Sequence, residues 1–357
     1  MLIKARDFRV TPHALMFDPQ FYIYDFAVKS KLTKFLIVEE QHLDLAPFID
    51  IRFEPMAKGY FSLPTTEVIS LENQHKIVRP RSSFIFHHAF VCSTLLARCM
   101  NQIDAFFSLK EPWILRRLAD TKRAGNSVVP RAQWQKMFMT YMMLLAKNYQ
   151  TGKAPVIKVT NLANNLLPDV LEMLPGHSSL YLYSDLESFL ISNLKKPEET
   201  QRKMPDIAMH FMADERFAWE FPQYCQMRHL SFLQICALVW VSNLYNFRAV
   251  IEKKGNKQVR TLEMQSFLQS PEDSLLALSR LFGHQPTAGE VAKMAGPEVL
   301  ESNAKQQHER YDARKREAEA KQVVNAHEQE IRKTIEWIKP LARDLGLVEY
   351  MESLRLV

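Results

Sequence analysis

Apolar positions along this chain fall into two rhythms, short β-type runs and longer stretches at helical spacing, and they alternate over most of its middle. The first 80 residues hold short apolar runs, Phe21-Tyr22-Ile23-Tyr24 and Phe35-Leu36-Ile37-Val38, between charged and proline-containing connections. That mixture predicts strands and a short helix, an irregular N-terminal layer. Next comes Ser83-Phe84-Ile85-Phe86-His87-His88, a β-type run. Ser93 to Met100 follows with helical spacing and helix-forming residues, so the step reads strand–turn–helix. The alternation continues with a strand at Phe106–Leu109, a helix at Trp134–Tyr149 and a strand at Pro155–Val159. A helix then runs to Leu174, followed by a strand at Leu180–Tyr183 and a helix at Asp185–Leu194. Strands alternating with helices predict an α/β fold on a central, doubly wound parallel sheet. From Phe211 onward the pattern reads as helical. Glu298 to Lys339, rich in Ala, Glu, Lys, Gln and Arg, predicts one or two long surface helices that stop at Pro340. The expected division is an N-terminal β-containing layer over 1–80, a core over 81–297 and a charged helical segment over 298–357.

Composition narrows the function classes. The 357 residues are 47% hydrophobic and 24% charged, which is ordinary for a globular protein with ample material for a core. The net charge of +6 leans mildly towards anionic partners. Basic residues are interspersed with acidic ones and aromatics do not interleave with them, so nucleic-acid binding is not expected. Four cysteines (Cys92, Cys99, Cys225, Cys236) show neither CxxC nor metal-ligand spacing, and no metal site is expected. They fit reduced thiols in the cytoplasm. The N-terminal MLIKARDFRV has no apolar signal region. The 18-residue uncharged stretch Leu230–Phe247 carries five polar residues and reads as a buried helix, not a membrane span. The pattern is silent on oligomeric state.

Glycine supplies the sharpest exclusion. The chain has nine, against about 25 at average usage. No two stand five apart and no trio fits GxGxxG, so Walker-type and dinucleotide loops are absent. A phosphate site must be built another way, and Phe84–Arg98 offers one. A strand entering a helix through a tight turn aims unpaired backbone N–H groups at one point, and the helix dipole favours an anion there. The cradle residues are Val91, Cys92, Ser93, Thr94 and Leu95, with two hydroxyls at the helix start. An ordinary capped helix without ligand fits the same spacing.

This run resembles the 5′-phosphosulfate loop of the sulfotransferase family, a P-loop variant reading roughly PK/RSGTT before a hydrophobic helix. Leu109-Lys110-Glu111-Pro112 falls where the next strand ends. Val156-Ile157-Lys158-Val159-Thr160-Asn161-Leu162-Ala163-Asn164 looks like the K-x-T-N-x-A-N stretch of bacterial sulfotransferase-like proteins. Leu180 to Asp185, with Ser192 beyond, looks like the family's 3′-phosphate strand–helix unit. The resemblance covers about 81–195, and more weakly 271–315, with Lys305 and Arg314.

The resemblance implies a P-loop type three-layer fold. It also implies sulfuryl transfer from the co-substrate 3′-phosphoadenosine 5′-phosphosulfate (PAPS) to a hydroxyl acceptor. In that reading Ser192 holds the 3′-phosphate, with Arg98 or Lys305 supplying charge. Lys158 binds phosphate, and Glu111, just past a parallel strand's carboxyl end, is the first choice of base. His88 and His87 are the runners-up; strand geometry lets only one of them face the site. Three positions depart from the family pattern: Phe90 where many members keep Lys or Arg, Cys92 where they keep Gly, and Ser184 where an Arg grips the 3′-phosphate. These departures motivate an alternative, a catalytically silent binding or scaffold protein of the same fold. A P-loop phosphotransferase would need a Walker lysine and a magnesium-holding aspartate, and the pattern offers neither.

Overall fold

The computed structural model describes residues 10–74, 81–147, 152–174, 176–255, 258–303 and 310–357. Two sheets organise them. The N-terminal sheet is antiparallel, in the order β1 (Phe21–Ala27), β2 (Leu32–Ile37), β3 (Gly59–Pro64). The central sheet contains β4 (Ser83–His87), β5 (Phe106–Lys110), β6 (Ala154–Lys158), β7 (Ser178–Tyr183) and β8 (Val259–Glu263). Its order is β5-β6-β4-β7-β8 and every pair is parallel. This is the α/β architecture expected from the alternation of strands and helices.

Near-continuous apolar strands mark a sheet covered on both faces, and the packing agrees. Leu95, Leu96 and Met100 of α1 (Ser93–Met100) lie on one face against Ile85, Val156 and Leu180, joined by α7 (Pro271–Leu281). The other face carries Phe84, Phe86, Leu109, Ile157 and Tyr181. They pack with the N-terminal sheet and with α2 (Trp113–Ala124), α3 (Arg131–Leu145), α5 (Met204–Asp214) and α6 (Phe232–Lys254). A capping box of Ser231 and Gln234 opens α6, satisfying its first amides. Gly255 at φ 89° ends it after Lys253 and Lys254, which complement the dipole. This is the uncharged stretch read as a buried helix, and among the described residues no helix is long and apolar enough to cross a membrane.

Several sequence expectations need correction. The region after Phe211 is not wholly helical, because Val259–Glu263 adds β8 at the sheet edge. Its five residues bury Val259, Thr261 and Leu262, too short a pattern to stand out among helices. Helix α2 was not anticipated. Helix α3 begins three residues before Trp134 and ends at Leu145, and residues 148–149 of the expected span lie outside the described residues. Pro340 does not end the C-terminal helix α8 (Ala313–Asp344). Buried Ile331, Thr334, Ile338 and Leu341 carry one apolar stripe across the proline, and that packing offsets the lost hydrogen bond. The backbone departs from helical angles earlier, at His327 (φ −130°).

The N-terminal layer reaches the carboxyl edge of the central sheet. Ile49 N–H donates to Lys110 O (2.7 Å) and Trp113 N–H to Ile49 O (2.9 Å), so residues 48–52 flank the end of β5.

Candidate active site

The carboxyl ends of β4, β6 and β5 stand side by side. Lys158 pairs in register with both Ile85 and Lys110. Parallel register puts the side chains of Lys110 and Lys158 on one face, the α1 side, and His87, two residues past Ile85, shares it. Ligands of open α/β sheets gather at such an edge.

At β4 the chain turns into α1 through two residues with left-handed backbones, Phe90 (φ 66°) and Cys92 (φ 58°). These angles disfavour any residue with a Cβ. The turn keeps the shape a glycine would give, with Cys92 adopting it. The first helical bond links Leu96 N–H to Cys92 O (3.0 Å), leaving the amides of Ser93, Thr94 and Leu95 as orphan donors of the first turn. Ser93 and Thr94 are each 6% exposed, and neither hydroxyl has a hydrogen-bond partner among the described residues. Val91 and Leu95 point into the core beside α1, so only their backbones are available to a ligand.

Two histidines brace this turn. His88 is fully buried, its Nδ1 donating to Ala89 O (2.9 Å) and its Nε2 accepting from Ser184 N–H (2.8 Å). Its ring also meets Phe189 edge-on at 4.9 Å. Burial pushes its pKa down to about 4. Both nitrogens of His88 are therefore committed, and the ring locks the loop after β4 to the loop after β7. The geometry gives it a bracing role where the sequence reading offered it as a base. His87 donates from Nδ1 to His88 O (2.7 Å), and its buried Nε2 has no hydrogen-bond partner among the described residues. Burial, then the charge of Lys158, holds its pKa well below the ordinary histidine value.

Glu111 follows β5 with φ 58°. Its N–H donates to Lys158 O (2.8 Å), and its carboxylate is ion-paired with the Lys158 ammonium. Lys158 is 1% exposed and its Nζ lies 5.4 Å from the Phe48 ring centroid. Lys110, equally buried, donates from Nζ to Asp44 O (3.0 Å), and burial lowers its pKa to about 8. The site thus contains an oriented carboxylate beside two buried cations.

The other expected residues are dispersed. Arg98 lies more than a turn beyond the loop and donates to Ser302 Oγ (3.1 Å), away from the cradle. Ser192 is partly buried on α4 (Leu186–Leu194), one turn before Lys195. Lys195 contacts Tyr311 OH (3.2 Å) and Glu319 (3.0 Å). Ser184 is internally satisfied: its N–H goes to His88, its Oγ to Asp185 O, and its carbonyl accepts from Trp240. Lys305 lies outside the described residues. Arg314 joins Arg310 and Arg316 around an open cavity of about 440 Å³ that Leu268, Pro271 and Leu300 wall on the apolar side. The helix containing Leu268 directly follows β8. No cluster of three or more His, Cys, Asp or Glu suited to a metal exists among the described residues.

Sequence reasoning missed Phe48 and Lys196. Phe48 comes from a loop far away in the chain. Lys196 follows α4 and places its ammonium 4.4 Å from the ring centroid of Phe90.

No protein-family model matches the sequence, and no curated protein matches it. Among solved structures, the chain is similar to a sulfotransferase domain from the curacin biosynthetic pathway (TM-score 0.41, 12% identity, 69% of this chain and 97% of that one). It is also similar to a sulfotransferase from Alicyclobacillus acidocaldarius (0.36, 13%, 72% and 97%). A third is the sulfotransferase domain of the Synechococcus PCC 7002 olefin synthase (0.39, 10%, 71% and 96%).

Proposed function

We propose that this chain is a sulfotransferase-like enzyme that holds PAPS at the 88–95 loop and passes its sulfuryl group to a hydroxyl acceptor. The observation that carries the reading is one juxtaposition. Unpaired amides and the unpartnered Ser93 and Thr94 hydroxyls stand at one strand end, and the Glu111–Lys158 pair stands at the ends of the next two strands. The order of sequence motifs along 81–195 supports it further.

In this reading Glu111 takes the acceptor proton as the acceptor oxygen bonds to sulfur. The bond from sulfur to the 5′-phosphate oxygen breaks, leaving 3′-phosphoadenosine 5′-phosphate (PAP). Lys158 orients the carboxylate, and the buried cations at the sheet edge favour the charge that builds on the leaving oxygen. In this reading the cavity beside Leu268, Pro271 and Leu300 takes the adenine, with Arg314 and Arg316 supplying charge for the 3′-phosphate, while Arg310 is already paired with Glu301 (2.8 Å) and Asp312 (3.3 Å).

Calorimetric titration with PAP tests the nucleotide site, and no heat at millimolar nucleotide would sink it. Glu111→Gln is expected to lower PAPS turnover by about 10²–10⁴-fold with PAP affinity retained. A second reading, a silent binding protein of the same fold, is favoured by Ser184, which supplies no cation and no unpaired hydrogen-bonding group. PAP binding without turnover towards any hydroxyl acceptor is its signature. Turnover that Glu111→Gln abolishes rules it out.

A further inference from the structure

The wall of the open cavity that carries Arg314 and Arg316 is a short stretch of chain, 310–316, that enters α8. Its charge placement is unfavourable by itself. Arg314, Lys315 and Arg316 crowd the start of α8, at the positive end of the helix dipole, and no residue of the first turn is acidic. The N-cap Asp312 is shared between the Lys315 amide (3.0 Å) and Arg310 (3.3 Å). A closed triangle of bonds meets this stretch at Tyr311. The tyrosine hydroxyl donates to Glu319 Oε2 (2.7 Å) and accepts from Lys195 Nζ (3.2 Å), and Lys195 donates to the same Glu319 oxygen (3.0 Å). We propose that Lys195, Tyr311 and Glu319 form a clasp that positions Arg314 and Arg316, and so sets the preference of this site for a nucleotide bearing a 3′-phosphate.

Tyr311 suits this part because both its backbone and its side chain are held. Its N–H donates to Glu301 O (2.6 Å), and Glu301 is itself a cavity residue. Its hydroxyl is held by Lys195, just past α4, and by Glu319 in the second turn of α8, so the clasp joins the helix after β7 to the cavity wall. The ring lies against the start of α8. Lys315 Nζ and the Arg316 guanidinium stand 5.6 and 6.0 Å from its centroid, and an aromatic face orients such cations. Burial, then the bond to Glu319, raises the phenol pKa above its ordinary value, so the hydroxyl remains a donor near neutral pH. A long arginine side chain loses rotamer freedom when a ligand fixes it. Holding the helix start fixes the Cα atoms from which both guanidinium groups extend, and the ligand has less left to order. The three clasp residues touch no ligand in this assignment; they act through Arg314 and Arg316.

This inference rests on the nucleotide part of the proposed function, and its test separates the two. PAP and adenosine 5′-phosphate, which differ only by the 3′-phosphate, are titrated calorimetrically into the full chain, Tyr311→Phe, Glu319→Ala, Arg314→Gln and the double variant Tyr311→Phe/Arg314→Gln. Titrations run well below each thermal midpoint, which serves as the folding control. Tyr311→Phe keeps the ring and removes both hydroxyl bonds. It is expected to weaken PAP about three- to ten-fold and to leave adenosine 5′-phosphate within about two-fold. Glu319→Ala is the sharper variant, because losing a negative charge beside an anion site would by charge alone tighten PAP, whereas the clasp requires weaker binding. In the Tyr311→Phe background Arg314→Gln should have a smaller effect than in the wild type, the coupling of a shared device. A PAP preference that Tyr311→Phe leaves intact, an equal loss for both nucleotides, or tighter PAP in Glu319→Ala overturns this inference and leaves the nucleotide reading standing. A wild-type chain that binds both nucleotides equally well overturns the 3′-phosphate assignment and the clasp with it, and keeps a nucleotide at the loop. Absence of binding by either nucleotide overturns both.

Discussion

Cys92 occupies a conformation that a side chain resists, φ 58° at the mouth of a helix. The left-handed region costs an L-residue about 1–2 kcal/mol, and glycine in exchange loses about 0.5–1 kcal/mol of chain entropy. Cys92→Gly should therefore be neutral to about 1 kcal/mol more stable. Cys92→Val, branched at Cβ, should lose about 1 kcal/mol or more. Urea unfolding of both variants checks this, and equal destabilisation by both would refute it. The buried His88 gives a pH signature. Its folded pKa of about 4 lies below the ordinary 6.5, so between these values the unfolded chain binds the extra proton. Its contribution is intact above pH 6.5 and is lost as pH falls towards 4, on the order of 3 kcal/mol in all. His87 shifts the same way. The slope of stability against pH in this window should flatten in His88→Asn. An unchanged slope would show that the ring protonates in the folded state.

At the scale of elements, the unanticipated helix α2 is stapled by charge. Asp169, 1% exposed, receives Lys122 Nζ (2.6 Å) and Arg131 Nη2 (2.5 Å). Arg123 makes a two-point contact with Asp214 (2.5 and 2.7 Å). These pairs join α2 to α3, α5 and the helix at Leu167–Met173, and so position the segment that follows Glu111 and Pro112. Asp169→Asn leaves two cations facing a neutral amide and should lower stability by about 1.5–3 kcal/mol. The midpoint of urea unfolding should move at constant slope; an unmoved midpoint would mean the pairs are solvated and idle. Lys147 plays a comparable part at the N-terminal layer, donating to the carbonyls of Leu15, Asp18 and Phe21.

Across the whole molecule, the chain's last residues cover the edge of the central sheet. Thr261 N–H donates to Leu354 O (3.0 Å) and Leu356 N–H to Thr261 O (2.8 Å), while Tyr183 OH donates to Glu352 (2.6 Å). An uncovered edge strand invites pairing with another chain. A protein ending at residue 345 should scatter light in a concentration-dependent way and melt earlier. A monodisperse product with an unchanged midpoint would show that β8 needs no cover. In the 298–357 segment, expected from sequence as charged and helical, Ile331, Ile338, Leu341, Leu347 and Met351 pack into the body.

What the sequence determined by itself was local. The periodicity of apolar residues along 81–195 set the parallel α/β core, because strands buried on both faces and helices with one apolar face leave distinct patterns. The run from Phe84 to Arg98 marked the strand–turn–helix, because hydroxyl residues at a helix start and a β-type run before it are neighbours in the chain. Tertiary structure decided which side chains meet. Glu111 and Lys158 are 47 residues apart and become partners only through the β5–β6 register. His88 changed from candidate base to brace because Ser184, 96 residues away, supplies its second bond. Arg98 left the site because α1 carries it past the loop to Ser302. Lys196 meets the ring of Phe90, 106 residues away in the chain, only in the folded protein. The pairing of charges and rings depends on strand order, and no local pattern encodes that order.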